Sequence, residues 1–301
     1  MYHERRGESR ENGQTVSRVV AAIEQIAPTD LAESWDPIGL KIGSLKQGVG
    51  SVLIALDLTS DVLKLAGQMD RPMIVTHHPP IFDPMTELRT DHPPQALLIR
   101  AAASGFSVYS AHTNLDITPG GVADSLVERI RIALCQSNPV TGNQPVAVYG
   151  RTLKLDQPER LSVVCDQIVC ELQGPGVCLN DDQDKMVERI AVFPGSFHED
   201  ALMELLARQV DTVICGEFKY NTGLALRTAG MTLVSVGHDV SERVVLEPLS
   251  ARLAAAVDLP IAVYSGLDYN GTVFRVNRTA AGVSRKAARE ESPGSTGQGA
   301  G

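Results

Sequence analysis

Four of the chain's seven histidines fall in three short polar stretches, each directly after an apolar run. Residues 73–75 lead into Thr76-His77-His78, and residues 108–111 lead into His112-Thr113-Asn114-Leu115-Asp116. Residues 232–236 lead into Gly237-His238-Asp239-Val240-Ser241-Glu242. Imidazole and carboxylate together form a donor set suited to zinc, iron, manganese or cobalt, and two cations sharing a carboxylate need about five such side chains. His77, His78, Asp116, His238 and Glu242 supply that set. Glu242 follows His238 by four residues, so on a helical turn both face one side. Neighbouring His77 and His78 point to opposite sides of an extended chain, which would let each reach a different cation. His112 is left over beside these donors. It is a candidate proton carrier or a partner that orients a ligand, and a buried histidine bonded to backbone is an equal alternative. Any one fragment alone reads as readily as a capped loop; three strand ends together point to a cation site.

Such groups meet only if the elements before them run side by side and end together. The apolar run 51–57 suits a strand buried on both faces, and short runs at 73–75 and 106–111 suit two more. Helical spacing holds over 16–26, 60–69, from Pro94 onward and over 122–134. A second alternating set follows: strands at 147–153, 189–193, 212–215 and 232–236, with helices at 158–172, 198–208 and 218–229 between them. Strand alternating with helix predicts α/β architecture, with a mostly parallel sheet flanked by helices in each of two lobes. In such sheets polar groups gather beyond the carboxyl ends of the strands, which is where the three histidine stretches fall. The turn-rich stretch 135–145 marks a lobe boundary. Residues 1–14 and 279–301 are polar or Gly/Ser-rich without apolar periodicity and are expected to be disordered tails.

The net charge of −9 argues against a nucleic-acid partner held by phosphate neutralisation. No apolar run approaches the ~20 residues of a membrane span, and the polar N-terminus lacks a secretion-type apolar segment, so a cytoplasmic protein is expected. The five cysteines form no C-x-x-C pair and are expected mostly as small buried hydrophobes. No G-x-x-x-x-G-K-[ST] phosphate loop occurs.

The segments 32–43 (AESWDPIGLKIG), 75–82 (VTHHPPIF), 109–122 (YSAHTNLDITPGGV), 214–226 (ICGEFKYNTGLAL) and 236–242 (VGHDVSE) together resemble the GTP cyclohydrolase 1 type 2 homolog family, dinuclear-metal hexameric proteins. The resemblance implies that His77, His78, Asp116, His238 and Glu242 bind two divalent cations per subunit. It also implies a two-lobed subunit, with 15–134 plus 230–278 as the metal-binding lobe and 146–229 inserted as the second, and a toroidal homohexamer. Asn221 stands where many relatives carry a histidine, and the second-lobe stretch VFPGSF at 192–197 holds fewer glycines than expected. The activity implied is a metal-dependent hydrolase, GTP cyclohydrolase-like or a phosphoesterase, acting on a nucleotide or other small polar substrate. Two cations would bring the pKa of a bridging water near neutrality and so generate a hydroxide. Lys219 and Tyr220 are candidates to contact an anionic substrate. The alternative is a non-catalytic metal-binding scaffold or adaptor for a protein partner.

Overall fold

A computed structural model of the chain describes residues 14–135, 146–147, 149–174, 178–179 and 185–266. The expected tails lie outside these residues, apart from Gln14.

The chain opens with α1 (Val16–Ile26), whose Val16, Val19, Val20, Ile23 and Ile26 form one buried stripe. Then come β1 (Gly39–Ile42), β2 (Ser51–Ala55), α2 (Ser60–Ala66), β3 (Pro72–Thr76), α3 (Pro93–Ala103), β4 (Ser107–Ser110), α4 (Thr113–Ile117) and α5 (Val122–Ala133). The next group is β5 (Arg151–Arg160), α6 (Leu161–Leu172), β6 (Cys178–Leu179), β7 (Met186–Phe197), α7 (Leu202–Ala207), β8 (Thr212–Phe218) and α8 (Tyr220–Thr228). The last is β9 (Thr232–Ser235), α9 (His238–Glu242), α10 (Leu246–Ala254) and β10 (Ile261–Val263).

Two five-stranded sheets result, in the orders β1-β4-β3-β2-β10 and β5-β7-β8-β9-β6. In the first, β10, β2, β3 and β4 are parallel and only β1 is antiparallel. In the second, β7, β8 and β9 are parallel while β5 and β6 pair antiparallel at the edges. The α/β class with mostly parallel sheets therefore holds. The apolar runs are strands buried on both faces: Val52 and Ile54 pack in a core with α1 and α10, whereas Leu53 and Ala55 pack with α2 and α3. The same alternation splits Ile214 from Val213 and Cys215 across the second sheet, with α5 and α6 on one face and α7 and α8 on the other.

Several expectations change. The helix anticipated from Pro158 starts only at Leu161, because β5 runs through Pro158 as an edge strand, where a missing N–H costs no ladder bond. Leu126, Val127 and Ile130 of α5 pack into the second sheet's core, and β9 is hydrogen-bonded to β8, so both belong with the second sheet. The reason is that an apolar helix face or strand declares that it must be buried, not against which sheet. Cys165 and Cys215 are buried, whereas Cys135 and Cys170 are exposed.

Candidate metal centre

Strands β2, β3 and β4 end on one edge of their sheet, and β7, β8 and β9 on one edge of theirs; the polar residues at these ends converge. At the end of β3 the chain bends, because the amides of His77 and His78 both donate to Leu56 O, at 3.1 and 3.0 Å. The bend brings the two rings side by side, with centroids 4.9 Å apart, instead of splaying them as an extended chain would. They still face different partners. His77 Nε2 lies 3.5 Å from Asp116 Oδ1 and 3.9 Å from Glu242 Oε2. His78 Nε2 lies 2.9 Å from Glu242 Oε2, which is also 3.1 Å from His238 Nε2. One turn of α9 puts His238 and Glu242 on the same side, as the spacing requires. One turn of α4 carries Asp116, whose amide donates to His112 O at 3.0 Å.

Two triads could thus each hold a cation: His77, Asp116 and Glu242, and His78, His238 and Glu242. Glu242 is common to both. Within each triad one donor atom per residue lies within 4.8 Å of the others, and His77, His78 and His112 form a third group that meets the same limit. The five donors and His112 named from the sequence are therefore all brought together.

The innermost atoms lack partners. His77 Nε2, Asp116 Oδ1 and Glu242 Oε2 are buried without a hydrogen-bond partner, Glu242 Oε2 having only its charge contacts with the imidazoles of His78 and His238. Orphaned polar atoms in a core are expensive, on the order of 1–3 kcal/mol each. Burial drives His77 down to about 3, and its Nδ1 lies 3.0 Å from Ala111 O, so the ring is neutral with Nδ1–H donating and a lone pair on Nε2. Burial, followed by the neighbouring Glu242 carboxylate, raises Asp116 well above the usual range. Burial pushes Glu242 the same way, but the imidazoles of His238, His78 and His77 overcome it and hold that carboxyl low. Burial would lower His78, yet Asp57 and Glu242 raise it to about 10. His238 is raised to about 9, chiefly by Glu242 and against its own burial. Without cations, then, protons on His78 and His238 balance the acidic centre.

An outer ring of carboxylates orients the imidazoles. Asp57 Oδ1 is 2.8 Å from His78 Nδ1, Asp36 Oδ1 is 3.0 Å from His112 Nδ1, and Glu217 Oε1 is 3.2 Å from His238 Nδ1. A carboxylate on Nδ1 turns Nε2 inward, the arrangement that commonly supports metal-binding histidines. Sequence reasoning missed Asp57 and Asp36. Asp57 follows the β2 run and carried the same strand-end signal as the histidines, whereas Asp36 lies on the loop before β1 and carried no spacing signal. Glu217 lies near the end of β8, another strand end. Lys219, Tyr220 and Asn221 are exposed at the start of α8, outside the histidine–carboxylate groups.

Backbone shape also limits the site. Gly195, with φ +60, sits at a register shift of β7 against β8, and its amide donates to Ser241 Oγ at 2.9 Å. A Cβ there would stand 2.3 Å from Glu242 Oε1. The sparse glycine stretch VFPGSF thus keeps the one glycine against which Glu242 packs.

In sequence and in fold the chain is similar to known proteins. The GTP cyclohydrolase 1 type 2 homolog of Clostridium perfringens is 28% identical over 243 residues, covering 80% of this chain and 91% of that protein. NIF3-like protein 1 of Drosophila melanogaster is 27% identical over 258 residues, covering 84% and 86%. The fold is shared with a Bacillus cereus protein related to NIF3, at a TM-score of 0.75 and 20% identity over 87% of this chain and 99% of that one. The pattern of Duf34/NIF3 (NGG1p interacting factor 3) matches residues 14–266, nearly everything that the structure describes, and the chain belongs to that family.

Proposed function

We propose that this chain binds two divalent cations and uses them to hydrolyse a nucleotide or another small polar molecule. His77, Asp116 and Glu242 hold one cation; His78, His238 and Glu242 hold the other. The observation that carries this reading is the trio of orphaned buried atoms, His77 Nε2, Asp116 Oδ1 and Glu242 Oε2, facing one another with a neutral imidazole among them. A cation satisfies all three at once, which no single proton can.

When bound, a pair of divalent cations supplies Lewis acidity and activates water near neutral pH. The chain's own residues do the rest. Asp57 and Glu217 accept from the Nδ1–H groups of His78 and His238 and so fix which nitrogen faces inward. Each triad supplies three protein ligands, the number typical of a centre that keeps a coordination position for water or substrate; a purely structural site is closed by four. His112, tied at Nδ1 to Asp36, holds its ring 5.2 Å from that of His77 and 5.6 Å from that of His78, where Nε2 can carry a proton to or from the reacting group. A toroidal homohexamer in the cytoplasm belongs to the same reading.

The test is to incubate protein of measured metal content with a panel of nucleotides and phosphoesters beside His78→Ala. Turnover by the parent that falls sharply in the variant is expected. Equal turnover in both removes the hydrolase. No turnover of any compound by fully loaded protein favours the alternative, a metal-binding scaffold for a protein partner.

A further inference from the structure

Beside the histidine cluster lies a feature that cation binding does not use. Trp35 and Phe82 are large apolar side chains left 58% and 49% exposed. Their ring centroids are 5.9 Å apart with the planes tilted by 46°. Each also meets the ring of His112 edge-on at 6.4 Å, with interplanar angles of 74° and 80°. The three rings form a corner open to solvent whose inner side is His112, 5.2 Å from the ring of His77 and 5.6 Å from that of His78.

Both exposed rings sit on anchored chain. Trp35 precedes Asp36, whose carboxylate accepts from Thr113 N at 2.9 Å and contacts His112 Nδ1 at 3.0 Å. Phe82 stands four residues after His78, behind Pro79 and Pro80, whose fixed φ limits that loop. Hydration favours burying such rings, so two held open and close together mark a surface kept for an occupant. The occupant must present a flat apolar face to Trp35 and Phe82 while one edge reaches towards the cluster. A planar ring of one or two cycles does this, and a branched aliphatic group does not. Asp36, on the His112 ring, and Asp57, on the His78 ring, put negative charge beside this corner and disfavour an anion in it, so the ring itself is neutral or cationic.

We propose that Trp35 and Phe82 form a stacking subsite for a neutral heteroaromatic ring, which delivers an edge substituent of that ring to the cation centre. This deepens the proposed hydrolase by assigning its substrate a planar base and rests on that reading only for the reaction, not for binding.

Trp35 is the chain's single tryptophan, so its emission reports on this corner alone. Full-length, zinc-loaded protein is titrated with guanosine 5′-monophosphate and, separately, with ribose 5-phosphate, which carries the same anion without the ring. Saturable quenching by the nucleotide and none by the sugar phosphate is expected. By calorimetry Trp35→Ala should bind the nucleotide roughly tenfold or more weakly, and Trp35→Phe within about threefold of the parent, since stacking on an aromatic is worth about 1–3 kcal/mol. Zinc content checks that each variant is folded. Equal quenching by the two probes, unchanged affinity in Trp35→Ala, or no binding of the nucleotide overturns the subsite. Emission of the free protein that shifts to the red on dilution does so as well, because a second copy of the chain then covers the rings. Stacking without turnover leaves the subsite standing and counts only against the hydrolase.

Discussion

Gly195→Ala tests the geometry around Glu242 without touching a single proposed ligand. The added methyl would stand 2.3 Å from Glu242 Oε1, about 1 Å inside the 3.4 Å at which ordinary contact begins. The backbone cannot simply yield, because Gly195 N is bonded to Ser241 Oγ, which in turn donates to His238 O at 2.7 Å. At φ +60 an alanine also carries left-handed strain, about 1–2 kcal/mol. The carboxylate is the softest neighbour, so it should move by most of that 1 Å. Metal–ligand distances tolerate only about 0.2 Å, and disturbing the support of a ligand commonly costs about 10–100-fold in affinity. Because Glu242 belongs to both triads, both cations should weaken together, against a modest fall in melting temperature. Calorimetric titration of metal-free protein with zinc, beside a melting curve, separates the two effects. Two cations bound at parental affinity in a folded Gly195→Ala would refute the packing argument and the shared role of Glu242.

Other consequences follow from the same arrangement. Glu242→Ala should lose both cations, whereas His238→Ala should keep the one held by His77 and Asp116; metal counted per chain by mass spectrometry distinguishes two lost from one. His78 and His238 are raised to about 10 and about 9 from an ordinary 6.5, so their stabilisation of the metal-free chain is fully present below about pH 6.5 and is lost as pH rises through 9 to 10. Metal-free protein should therefore melt progressively lower across that window, and zinc uptake at pH 7.5 should release protons, detectable with an indicator dye; uptake without proton release contradicts the protonated state described. Asn114 is fully buried, donates to Ala27 O at 2.7 Å and accepts from His112 N at 3.0 Å. Asn114→Ala strands both backbone groups and should cost about 2–4 kcal/mol in denaturant unfolding, while Arg89→Ala, on an exposed loop, should cost almost nothing.

What could be read before folding was local. The apolar run at 51–57 pointed to a strand buried on both faces and that at 212–215 to another strand, and the polar turns after three strands marked five candidate donors, because a strand leaving a sheet must solvate or use its polar side chains. The i,i+4 spacing of His238 and Glu242 placed them on one side of a helical turn that the structure contains as α9. What could not be read was pairing. Nothing in α5 or β9 says which sheet buries them, since any apolar surface of suitable shape satisfies an apolar face. The bend that sets His77 beside His78 depends on Leu56 O, a carbonyl some twenty residues earlier in the chain, and the carboxylates on the imidazole Nδ1 atoms arrive from β2, β8 and the loop before β1. The sequence by itself determined which groups could bind a cation. Only the tertiary structure decided that Glu242 is shared, that Asp57, Asp36 and Glu217 aim the rings, and that Gly195 leaves room for the carboxylate, because each of these is a distance between segments that sequence spacing does not constrain.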